Sequence, residues 1–195
     1  MSADLIVRLI VWIWFAGAAA AGHFLLLQRL PPAAVPAIAI ALAGVLLSAY
    51  FLIRPLRAWV DGLDLRSLVL VHVTRFLGIY YLALHQRGEL PREFAVSGGM
   101  SDILVATMAL VVALAPIEPT ARRRAMVIWN VIGFMAVVVT LFNLTRLNLS
   151  DPGELRSLTH LPLSFLPTML IPLLLATHVI IFVRTARHDS ESGHA

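Results

Sequence analysis

The chain contains no cysteine and no lysine, and only 13% of its 195 residues are charged. Without cysteine there is no disulfide, no thiol nucleophile and no thiolate metal site, so any metal or haem must be held by His or carboxylate. The net charge of +4 rests on arginine alone. Fourteen of the 15 arginines fall in or near the gaps between apolar blocks, a pattern that orients a membrane protein and does not suggest nucleic acid. Extramembrane segments long enough to form a domain are missing as well, and no internal repeat is visible. Function is therefore expected within the apolar part or on its short loops.

What is present is hydrocarbon-compatible sequence. Hydrophobic residues make up 59% of the chain, and they come in unbroken blocks of about 20 residues, the length that crosses a bilayer as a helix. The expected fold is an all-α integral membrane bundle of six transmembrane helices, spanning about 5–27, 33–53, 67–85, 98–115, 125–146 and 164–183. Breakers separate the blocks: Pro31 and Pro32, Pro55, Gly88 and Pro91, Pro116 and Pro119, then Asp151 to Gly153. The fourth block reaches spanning length only by including Gly98 to Asp102, so a re-entrant or interfacial segment is expected before it. The first block is too long and too rich in Trp12, Trp14 and Phe15 for a cleaved signal and is read as a retained helix. Residues 1–187 are expected to form one domain, with 188–195 a disordered tail.

Flanking arginines set the orientation. Arg8, Arg54, Arg57, Arg66, Arg122 to Arg124, Arg184 and Arg187 lie on one side; Arg29, Arg87, Arg92, Arg146 and Arg156 lie on the other. The richer side is expected to face the cytoplasm, which places both termini there, in a bacterial-type inner membrane. Within the first span, Ala16, Gly17, Ala20 and Ala21 allow close helix approach, either to the rest of this chain or to a partner membrane subunit.

Ionisable residues inside a bilayer cost at least about 2.5 kcal/mol each and mark sites. In the third block His72 and Arg75 are three residues apart, hence on one helical face. The only carboxylate within a predicted span is Asp102, about 9 Å from Arg75 in depth on the expected boundaries, close enough for two extended side chains nearly to meet. Pro162, Pro167 and Pro172 kink the start of the last block and free carbonyls there. His72, Asn130 and His178 fall about 7–9 Å deep from the Arg-rich side and are expected to form one polar layer with Arg75. A second layer would collect His23, Asp102, Thr140 and Asn143, with His85 and His160 at the opposite surface.

Arg75, Asp102, His72, His178 and Asn130 are thus the candidate ligand-binding residues, and no catalytic residue is assigned. Three functions fit them. The first is binding or transport of a small polar or anionic ligand, perhaps within a larger complex. The second is b-type haem binding, with His72 and His178 as axial ligands. The third is an intramembrane enzyme: Gly99-Met100-Ser101 and His178 resemble the Gly-x-Ser and His pattern of rhomboid proteases, departing from it in that Asp102 replaces the motif's second glycine. A broader resemblance covers the third to sixth spans. Arg75-x-x-Gly78, Gly88-x-Leu90-Pro91-x-x-Phe94-Ala95, Gly99-x-x-Asp102 and the late Pro167 and Pro172 before His178 resemble a pattern of small bacterial polytopic membrane proteins without assigned function. That resemblance implies that these residues act as a set, and it names no chemistry.

Overall fold

A computed structural model describes residues 3–151, 153 and 156–192. It is all-helical, with no strand among the described residues. Six helical stretches are long and apolar enough to cross a membrane. The first is α1 (Ala3–His23) and the second α2 (Ala34–Leu52). A short helix, α3 (Arg54–Asp61), follows. The third stretch is composite: α4 (Leu65–Leu70), a 3₁₀ segment Val71–Leu77 and α5 (Gly78–Gln86). α6 (Arg92–Leu114) and α7 (Pro119–Ser150) are the fourth and fifth. The last is a π-helical turn Leu166–Leu170 continuing as α8 (Ile171–Ser192).

Local chemistry explains the ends. Asp64 caps α4 by accepting from the Arg66 amide at 3.0 Å. Gly88 takes φ +73° after α5, the left-handed position that terminates a helix and that glycine adopts without strain. Glu118 caps α7; hydrogen bonds from the Thr120 and Ala121 amides hold its carboxyl below the usual carboxylate range. The π-helical turn coincides with Pro167 and Pro172, where the missing amide hydrogens loosen the ladder.

Two sequence expectations change here. The fourth span is one continuous helix beginning at Arg92, six residues before the expected start, so the connection from α5 is a short turn rather than a re-entrant segment. Polar Arg92, Glu93 and Ser97 in its first turns lower the apparent hydropathy without interrupting the backbone ladder. The last helix is also traced past the expected end, to Ser192, so part of the expected disordered tail is helical; residues 193–195 lie outside the described residues.

α6 packs between α5 and α7 and along the 3₁₀ segment, while α8 packs against α2 and α7. α1 is peripheral: only 11% of its span is buried, against 61% for the last one. Its small residues divide between two faces. Ala18 and Gly22 are buried, with Gly22 against Ser164 and Leu161. Ala16, Gly17 and Ala20 are exposed and Ala21 half-exposed.

Backbones of α5 and α6 cross closely. A Cβ on Gly78 would meet the Gly99 carbonyl oxygen at 2.5 Å and the Asp102 Cβ at 3.1 Å; one on Gly99 would meet the Gly78 carbonyl at 2.8 Å. The two carbonyl contacts are with backbone, which has no rotamer to yield. We therefore expect Gly78→Ala to lose about 1–3 kcal/mol of stability by overpacking. Gly17→Ala, where a Cβ meets nothing within 4 Å, is the matched control. Unfolding of both variants in detergent micelles checks this; equal midpoints would refute the tight crossing.

Candidate functional site

Buried apolar residues form two separate clusters. One gathers Tyr81, Phe94, Ala95, Val137, Leu144, Leu163 and Leu174; the other gathers Val69, Val105, Met126, Trp129, Ile180 and Ile181. In every contributing helix the polar residues of interest fall between the two sets in sequence. Arg75 lies between Val69 and Tyr81, Asp102 between Ala95 and Val105, Gly133 between Trp129 and Val137, and His178 between Leu174 and Ile180. The polar residues thus form a layer inside the bundle, closed on both sides by hydrocarbon.

Arg75 is the centre of that layer and is 2% exposed. Its Nε donates to Asp102 Oδ1 at 2.8 Å, and its Nη2 lies 2.7 Å from the same oxygen. The Nη2 contact is an ion-pair approach with poor hydrogen-bond geometry, so that nitrogen has no hydrogen-bond acceptor. Nη1 donates to the Gly133 carbonyl on α7 at 2.9 Å. One guanidinium therefore ties the third, fourth and fifth spans together.

The two imidazoles come from the 3₁₀ segment and α8. Both are fully buried, and their ring centroids lie 4.2 Å apart. His178 Nδ1 is 2.7 Å from Asn130 Oδ1, and Asn130 Nδ2 donates to the His178 carbonyl at 3.0 Å. An amide oxygen only accepts, so Nδ1 donates to it, while Nε2 lies against Gly133 without a well-formed hydrogen bond. His72 Nε2 is 3.0 Å from Thr177 Oγ1, whose hydroxyl also reaches the Leu173 and Leu174 carbonyls at 2.9 and 3.0 Å. Either the hydroxyl or the imidazole supplies the proton of this contact, and in both tautomers Nδ1 is left without a partner. Trp129 flanks both rings, at 4.9 Å from His72 and 5.5 Å from His178, with its Nε1 donating to the Val105 carbonyl at 3.0 Å.

Four buried polar atoms in this layer and its margin have no hydrogen-bond partner: His72 Nδ1, His178 Nε2, Arg75 Nη2 and Tyr81 Oη. Gly133 makes the meeting possible, since a Cβ there would stand 2.6 Å from His178 Cε1 and 3.0 Å from its Nε2.

All five residues singled out by sequence are thus in one place. The expected depth gap between Arg75 and Asp102 is not there. The extra six residues at the start of α6 put Asp102 well inside its helix, and the glycine crossing brings that helix against the third span. For the same reason Asp102 belongs to the layer of Arg75 and not to a second layer. His23 instead packs on Phe24, Thr140 is buried and Asn143 half-buried elsewhere on α7, His85 Nδ1 pairs with the Leu90 carbonyl, and His160 lies at the surface beside Gln28. Ser101 spends its hydroxyl on the Gly98 carbonyl at 2.9 Å, and no hydrogen bond links it to His178 among the described residues. Thr177, Trp129, Gly133 and Tyr81 escaped the sequence reading. Only Gly133, one turn from Asn130, carried a usable signal, as a small residue beside a polar one in an apolar helix. No group of three His, Asp or Glu suited to a metal ion occurs among the described residues.

Residues 32–186 match a domain of unknown function (DUF8737). The chain belongs to that family. The DUF8737 match runs from α2 into α8 and contains every residue of the polar layer, whereas α1, the least buried span, precedes it. No curated protein and no solved structure matches the chain.

The pairing of Arg75 with Asp102 yields a quantitative expectation. Removing one partner leaves the other charge buried and unpaired, so Arg75→Gln and Asp102→Asn should each destabilise by about 3–5 kcal/mol. The double variant should lose markedly less than the sum. Equilibrium unfolding of the four proteins in one detergent measures the coupling, and additivity would show that the two charges are not each other's main partners.

Proposed function

We propose that the chain is a multi-pass membrane protein of a bacterial-type inner membrane, with both termini cytoplasmic, whose polar layer binds a small polar or anionic ligand. The binding serves transport or a relay through the bundle, by the chain alone or as a subunit of a larger complex. One observation carries this reading: three buried polar atoms without hydrogen-bond partners, His72 Nδ1, His178 Nε2 and Arg75 Nη2, gathered between two apolar clusters. Each unmet donor or acceptor costs about 1–3 kcal/mol, and native interiors keep such groups where a ligand, ion or water completes them.

The donor and acceptor types narrow the ligand. Arg75 Nη2 offers a donor, while each imidazole offers one nitrogen without a hydrogen-bond partner. A neutral solute carrying both an acceptor and hydrogen-bond donors complements that set directly. An oxyacid anion complements it once a proton arrives, because a protonated imidazole becomes a donor. Asp102 already neutralises Arg75, so an anion bound alone would leave an uncompensated negative charge in a low-dielectric layer; entry with a proton removes that cost. The irregular backbone at Val71–Leu77 and at Leu166–Leu170 lies in the spans that carry the site, as in transporters whose broken helices line the binding region.

The test is a comparison of wild type with the Arg75→Gln/Asp102→Asn double variant, which keeps the layer uncharged. Small molecules released on denaturing the gently purified protein are identified by mass spectrometry, and thermal midpoints are measured against a panel of small amides and oxyacids. Wild type is expected to retain or be stabilised by a small polar compound, oxyacids acting more strongly at low pH, and the double variant to lose this by at least about tenfold in affinity. A folded double variant that matches wild type in content and in every midpoint shift would overturn the proposal.

The alternative is b-type haem binding, favoured by two imidazoles from different spans, each with a bare nitrogen. The 4.2 Å between their centroids leaves no slot for a macrocycle unless the helices separate. We expect no Soret band in protein expressed with ample haem; its presence would establish the alternative.

A further inference from the structure

The peripheral helix α1 packs on the π-helical turn Leu166–Leu170, the irregular start of the last span. Three of its residues meet the stretch 161–168 in antiparallel order. Gly22 lies against Ser164 and Leu161. The Phe15 ring stacks on Phe165 with centroids 5.1 Å apart and planes 15° from parallel. Trp14 Nε1 donates to the Thr168 carbonyl at 2.9 Å.

The indole bond answers a specific deficit. In an α-helix the carbonyl of residue 168 accepts from the amide of residue 172, which here is proline: it has no amide hydrogen, and its ring crowds that same carbonyl. The turn widens in response, with the Ile171 amide bonded to the Leu166 carbonyl five residues back. Thr168 is only 7% exposed, so water does not serve its carbonyl as it would on a soluble surface. Trp14 supplies the donor from another helix.

The setting of this turn decides what happens further along the span. α8 runs unbroken from Ile171 to Ser192, so any rotation at the turn is carried on to Thr177 and His178. The His178 ring has little freedom, held between the Asn130 oxygen at 2.7 Å and the bare backbone of Gly133. A slip of register by one residue turns a helix by about 100°, enough to take both residues out of the polar layer. We propose that α1 is a latch on the last span and that Trp14 is its positioning residue. Through the Thr168 carbonyl, Trp14 keeps the π-helical turn in register and thereby holds Thr177 and His178 in the layer. This deepens the ligand reading above and rests on it for one consequence, that a residue outside the layer controls affinity within it.

The full chain is studied in nanodiscs by two methods: backbone amide exchange read by mass spectrometry, and the ring resonances of isotope-labelled histidine. The His178 ring is assigned through its contacts with Trp129 and Phe134. Trp14→Phe keeps an aromatic ring and loses the donor. Amides over residues 168–178 should then exchange about tenfold faster, the His178 resonances should shift, and exchange in α6 should not change. Trp12→Phe, at a position 68% exposed, should alter neither readout. In a Pro172→Ala background residue 172 brings its own amide to Thr168, so adding Trp14→Phe there should change exchange by less than about twofold. Unchanged exchange or unmoved His178 resonances in Trp14→Phe would overturn the latch, as would an equal acceleration in both backgrounds. Neither readout needs a ligand. Failure of wild type to respond to any of the small amides and oxyacids therefore counts against the ligand reading alone, while exchange and the His178 resonances still decide the latch.

Discussion

A guanidinium enclosed by hydrocarbon has to be neutralised and hydrogen-bonded by its own bundle, and the architecture around Arg75 follows from that requirement. Burying an isolated charge costs far more than a folded chain has to spare. Asp102 must therefore reach Arg75, and it does so because Gly78 and Gly99 remove the side chains that would hold the third and fourth spans apart. The Gly133 carbonyl then draws in the fifth span. His178 fits only because Gly133 has no Cβ, and Asn130 on the same helix fixes its ring. One charge thus organises four of the six spans, with glycine at each point where backbones or rings come close.

The layer does not meet all of its own hydrogen-bonding groups. A structural ion pair would ordinarily have its remaining donors and acceptors met, since half-met networks in a low dielectric are worse than apolar packing. Here the pairings with Asn130, Thr177 and the carbonyls are well formed, yet two imidazole nitrogens and one guanidinium nitrogen are left over beside one another. Well-formed bonds thus orient the rings, and the unmet atoms are those that the proposed ligand would complete.

The family match and the burial pattern agree on where the core of the molecule lies. The matched segment starts just before α2, and it is α2 to α8 that enclose the polar layer, while α1 lies along their outside with most of its surface exposed. The exposed small residues Ala16, Gly17 and Ala20 sit on that peripheral helix, and the packing within the chain uses the neighbouring face of Ala18 and Gly22.

By itself the sequence determined the number of helices long and apolar enough to span a membrane, the helical class and the identity of the five central polar residues. It could do so because apolar run length and the cost of charge in hydrocarbon are local properties, readable one residue at a time. It misplaced the start of the fourth span, because Arg92, Glu93 and Ser97 look like loop to a hydropathy count although a helix tolerates them on its exposed turns. Tertiary structure alone decided that Asp102 joins Arg75 rather than an outer layer, that Thr177 and Gly133 complete the site, and which imidazole nitrogens are left bare. Those outcomes depend on helix rotation and on glycine-permitted approach between segments far apart in the chain, and no single stretch of sequence encodes either.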